Sequence, residues 1–156
     1  MSTKGQSLSY DFLTAFTTFL LVVLIIFVLF EYSSNSINDF KKIDEISRIS
    51  SQISEVWMSE GLPNNWDPEN VIELGLLSNQ RLNQTKIEYL NEIGYYKVRK
   101  FVGSGVYNFL LTISDHENNT IFEFGFKPEK YEFSSKTRRI SVLGKKIVYV
   151  DTVVWG

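Results

Sequence analysis

Phe12-Leu-Thr-Ala-Phe-Thr-Thr-Phe-Leu-Leu-Val-Val-Leu-Ile-Ile-Phe-Val-Leu-Phe30 is a run of 19 residues without a charge, a glycine or a proline. At 1.5 Å per residue a helix of this length spans about 28 Å, close to the hydrocarbon thickness of a bilayer. A core helix of a soluble domain keeps one polar face, and this run has none. Residues 12–30 therefore read as a membrane-spanning helix. The remainder is ordinary soluble sequence, so the expectation is a single-pass protein with one domain on one side.

The rest of the composition narrows the choice. The chain has 156 residues, 44% hydrophobic and 15% aromatic, with 16 basic against 18 acidic side chains. That balance is too apolar for a disordered chain and lacks the basic excess of a nucleic-acid-binding domain, so no nucleic-acid partner is expected. With no cysteine, disulfides, thiolate metal sites and cysteine nucleophiles are excluded. A single histidine cannot build a multi-histidine centre.

Downstream of the span the helical period continues. Ile37, Phe40, Ile43, Ile46, Ile49, Ile53, Val56 and Trp57 recur at threes and fours among polar residues. No Pro or Gly occurs from Gln6 to Glu60, and Gly61-Leu62-Pro63 ends the pattern. One long helix over 6–60 is expected, apolar on every face in its first half and amphipathic in its second. Ser33-Ser34-Asn35-Ser36 is its weakest point.

Residues 61–94 read as a short-helix connector. Asp67 is placed to cap a helix begun by Pro68 and stopped by Gly75. Asn83 is placed to cap a second, with Ile87, Leu90 and Ile93 on one face and Gly94 as its stop. From Tyr95 the period changes to two. Strands are expected over 95–102, around Tyr107–Ile113, around Ile121–Phe126, and as a hairpin of 138–143 with 146–155 across Gly144-Lys145. His116-Glu117-Asn118-Asn119 reads as a turn. The expected fold is α+β: a long N-terminal helix packed on a small antiparallel β-sheet head at 95–156.

The segment ahead of the span holds Lys4-Gly5-Gln6, then a carboxylate at Asp11. A conventional secretory signal has a shorter apolar core and a small-residue cleavage site. Ser33, Ser34 and Ser36 are a poor substitute for such a site. Lys4-Gly5-Gln6 followed by an acid and a 19-residue span resembles the class III signal peptide of archaeal type IV pilins. The resemblance implies that a prepilin peptidase cuts between Gly5 and Gln6, releasing a leader of residues 1–5 and leaving the helix attached. It implies a filament subunit, held in membrane lipid before assembly and surrounded afterwards by copies of itself or related pilins. The chain would sit in the cell membrane with its head outside, then in an extracellular filament with a role in cell adhesion. In that family a Glu at the fifth mature position pairs with a neighbour's terminal amine. Here Tyr10 holds that position, and Asp11 is sixth. Asp11 is thus a candidate assembly residue, or simply marks the membrane edge. The alternative is an uncleaved, non-polymerising anchored binding or accessory protein.

No catalytic pattern is present: no phosphate loop, zinc helix or nucleophile elbow. The chain is not expected to be an enzyme or to need a cofactor or metal. Lys136, Arg138, Arg139, Lys145 and Lys146 cluster around the last hairpin. They read as a solvated edge that discourages strand aggregation, or as a contact to a neighbour's acids. Asn83-Gln84-Thr85 and Asn118-Asn119-Thr120 are glycosylation sequons, with Asn118 the better placed because Asn83 has a competing role as a cap.

Overall fold

The computed structural model describes residues 4–127, 130 and 133–156; of these, the side chains of residues 4–9 and 34–38 are not described. The chain divides into two units, Met1–Lys41 and Lys42–Gly156. Helix α1 is assigned over Lys4–Trp57. Within the first unit, residues 10–33 leave every side chain exposed. The stretch Tyr10–Ser33 is long and apolar enough to cross a bilayer.

In the second unit, α1 changes character at Ile46. Ile46, Ile49, Ile53 and Trp57 are buried, whereas Phe40 and Ile43 of the same stripe are exposed. The buried residues face a six-stranded sheet and belong to one hydrophobic cluster with it. Its strands are β1 (Leu77–Ser78), β2 (Arg81–Leu82), β3 (Asn108–Asp115), β4 (Thr120–Gly125), β5 (Ser134–Leu143) and β6 (Lys146–Trp155), in the order β1-β2-β5-β6-β3-β4. All pairings are antiparallel except that of β2 with β5, which meet at Leu82 and Leu143. The alternation from Phe109 to Ile113 sets Phe109, Leu111 and Ile113 against the core, together with Phe124, Val148, Val150 and Val154. The fold is α+β, a long apolar N-terminal helix whose later turns pack on a mostly antiparallel sheet.

Helix α2 (Gln84–Ile93) starts where expected. The Asn83 side chain accepts from the amides of Thr85 and Lys86, and Gly94 closes the helix with φ +81°. Two local expectations fail, and two short strands add to the sheet. Residues 95–102 do not form a strand; Tyr95–Phe101 is helix α3, with Val98 and Val102 buried one turn apart. That spacing gives the segment a helical inner face which outweighs the strand preference of its aromatic and β-branched side chains. The helix begun by Asp67 does not propagate. The Asp67 carboxylate accepts from the amides of Glu69 and Asn70, as a cap would, but the Ile72 and Glu73 amides donate to the Leu62 carbonyl instead. A bridge between Leu62 and Glu73 therefore takes the donors a second helical turn needs. The connector also contributes β1 and β2, joined by a tight turn with Asn79 and Gln80 at positive φ.

Candidate functional site

Two places stand out as candidate sites: the uncovered apolar segment and the docking of α1 residues 42–57 on the sheet. Between Phe12 and Phe30 the helix carries three hydroxyls, and each is satisfied within the helix. Thr14 donates to the Tyr10 carbonyl, Thr17 to Leu13 and Thr18 to Thr14. A hydroxyl without a partner is costly in hydrocarbon, and these bonds remove that cost without help from a neighbour. Asp11 is exposed at the edge of the apolar run, and its backbone carbonyl also accepts from Thr14. Lys4, Gly5 and Gln6 lie in the first turns of α1, and their side chains fall outside the described residues.

On the sheet side, α1 is fastened by polar contacts as well as by its apolar stripe. The Ser50 hydroxyl stands 2.8 Å from that of Thr137 and donates to the Thr152 carbonyl at 3.2 Å. Arg139 Nε donates to Ser54 Oγ at 3.0 Å, and its guanidinium is 3.9 Å from Glu55. Small side chains at 50 and 54 thus admit strands β5 and β6 close to the helix. Trp57 packs against Phe109, ring centroids 5.9 Å apart. The Tyr95 hydroxyl accepts from the Phe109 amide, and burial pushes its phenol up.

The opposite face of the sheet carries a charge cluster. The Asp151 carboxylate is nearly buried and takes Arg138 Nε at 2.6 Å, Arg138 Nη2 at 2.7 Å and Lys136 Nζ at 2.7 Å. Burial pushes this carboxyl up, but the hydrogen bonds and charges of Arg138 and Lys136 outweigh it and hold the group below the ordinary aspartate range. Arg138 also lies over the Tyr149 ring at 4.8 Å.

The connector is gathered around Lys86. Its amine donates to the carbonyls of Glu60 at 2.7 Å, Asn64 at 2.6 Å and Leu77 at 2.8 Å, beside the Trp66 ring. Burial lowers its pKa, and the charge of Glu60 opposes that shift. Gly75 is required for a different reason: a Cβ there would collide with the Gly61 amide nitrogen and with Ser59.

No family model, curated protein or solved structure matches this chain. The chain has a pilin-like topology, an apolar N-terminal helix with an antiparallel-rich sheet head.

The remaining residues singled out in the sequence are dispersed over the head. Asn118 is exposed, at φ 64° in the turn between β3 and β4. Asn83 is committed: its oxygen caps α2, and its Nδ2 donates to Ser78 Oγ at 3.1 Å. His116 is exposed, 3.7 Å from Glu117. The neighbouring Asp115 accepts from the Asn119 side chain and from the amides of Asn119 and Glu117, and these bonds hold it below its ordinary range. Among the described residues no group of three His, Asp or Glu is placed to hold a metal ion. The basic hairpin cluster divides. Lys136, Arg138 and Arg139 are engaged within their own chain, and Lys145 and Lys146 are exposed at the turn. The Asp151 cluster was not anticipated, although the two-residue turn at 144–145 sets the register that puts Arg138 opposite Asp151. Lys86 leaves no such trace, because its three partners are backbone carbonyls, which no side chain announces.

Proposed function

We propose that this chain is a structural subunit of an archaeal type IV pilus-like surface filament, made as a precursor and cut by a prepilin peptidase between Gly5 and Gln6. The observation that carries the reading is the division of labour within α1. From Tyr10 to Ser33 the helix buries no side chain, while Ile46, Ile49, Ile53 and Trp57 lie in the core of the sheet domain. An apolar surface of that extent needs lipid or other apolar helices around it. Before assembly the segment spans the membrane; after assembly it packs against the same segment of other copies. Lipid is as apolar as those neighbours, so side-chain packing decides the exchange. Asp11 is the carboxylate available to meet a neighbour's amine at the membrane edge. The head faces outward and makes the contacts of the filament surface, adhesion among them, and Asn118 is its glycosylation site. The role is structural, not catalytic.

The test is intact-mass measurement of protein purified from native membranes or filaments. A mature chain beginning at Gln6 is the expected result, and a Gly5→Leu precursor should stay uncut in the membrane. Filaments of normal abundance from Gly5→Leu would overturn the cleavage assignment. A second reading, an anchored protein that never polymerises, draws support from Tyr10 at the position where the resembled family carries Glu. Under that reading the native mass retains Met1 or Ser2, and no filament depends on the chain.

A further inference from the structure

Helix α3 and the connector expose charge of opposite sign, each with apolar side chains beside it. On α3, Tyr96 is 70% exposed and Phe101 40% exposed, with Lys97, Arg99 and Lys100 around them. On the connector, Ile72 is 65% exposed and Leu62 47% exposed, beside the exposed Glu69 and Glu73. From Met58 to Gln80 the sequence has four carboxylates and no Lys or Arg. Among the described residues, no salt bridge engages Lys97, Arg99, Lys100, Glu69 or Glu73. Exposed apolar side chains interleaved with charge that no salt bridge engages are the makings of a docking surface.

We propose that the basic α3 face of one copy docks on the acidic connector face of a second copy. Charge complementarity selects this partner. Like face on like face would oppose three cations with three cations, or carboxylates with carboxylates, and mutual repulsion disfavours both. A flat anionic surface or a long polyanion is disfavoured by what adjoins α3. Phe101 shares one groove with Glu55, Ile72 and Glu73, so anything approaching α3 broadly also meets these carboxylates. A second copy offers both signs and brings exposed apolar side chains as well. The inference extends the filament reading, yet the contact requires no cleavage at Gly5.

The experiment uses the full-length chain in phosphatidylcholine vesicles, with association between copies read by energy transfer between donor- and acceptor-labelled protein. Labels attach at a single introduced cysteine, Lys145→Cys, because the chain has none of its own. Lys97→Glu with Lys100→Glu should weaken association about tenfold, and Glu69→Lys with Glu73→Lys should do the same. Mixing the two reversed variants should restore it, since each then finds its complement. Unchanged melting temperatures establish that both variants stay folded. The inference is overturned if reversing one face weakens association while reversing the other does not, or if the mixture fails to recover. It is also overturned if the α3 reversal changes only binding to phosphatidylserine vesicles, which would assign that face to an anionic lipid. Recovery in the mixture together with an uncut native chain would sink the filament reading and leave the contact standing.

Discussion

Lys86 shows how much a single buried donor can organise. Its three hydrogen bonds join carbonyls at 60, 64 and 77, which no secondary structure holds together. Lys86→Met keeps the stem but strands those acceptors, and should cost about 2–4 kcal/mol in urea unfolding of the detergent-solubilised chain. Asp151 makes a prediction with a sign in pH. Its carboxyl is held below the ordinary range, so near about pH 4 the unfolded chain binds more protons than the folded one. Its contribution is complete above that pH and is lost as pH falls through the folded value. Asp151→Asn should flatten the acid limb of the stability curve. At neutral pH it should cost about 1–2 kcal/mol, because Arg138 and Lys136 are half exposed and water can take them back.

At the scale of elements, α1 is one helix with two different environments, and the boundary is testable by truncation. Ile53→Ala should cost about 2–4 kcal/mol, since Ile53 is fully buried, whereas Ile43→Ala should stay within about 0.5 kcal/mol. Equal costs would mean that the buried stripe begins earlier than Ile46. Elements with a periodic inner face or a strong cap were legible beforehand. The α1 stripe, the Asn83 cap and the hairpin across Gly144-Lys145 all announce themselves in the order of residues. Helix α3 did not, because Tyr95-Tyr96-Lys97-Val98 favours strand locally and only burial of Val98 and Val102 chooses helix. The Asp67 turn has a cap but no helix, because Leu62, distant along the chain, takes the amides of Ile72 and Glu73. Strands β1 and β2 escaped notice because two residues are too short for any period, and their turn is held by a remote bond from the Asn79 amide to Glu60. The processing residues were read from a resemblance, and no contact in the fold tests them.

For the whole molecule the governing fact is that the chain carries two surfaces of different solvent preference. The sheet domain buries Trp57, Trp66, Phe109 and Phe124 in its core; the N-terminal segment leaves its apolar residues bare. Leu21→Arg sets a cation near the centre of the span, at an insertion cost of about 2.5–3.5 kcal/mol. Alkaline carbonate should then extract a substantial share of the variant, while the parent chain stays in the pellet. Complete retention of the variant would mean that something other than this segment anchors the chain. The hydroxyls of Thr14, Thr17 and Thr18, each folded back on its own helix, have a consequence for traffic in both directions. A segment that brings its own hydrogen-bond partners leaves one environment and enters another without breaking a bond in either. Under the filament reading proposed above, passage between bundle and bilayer would then be reversible, and a withdrawn subunit would return ready to be used again.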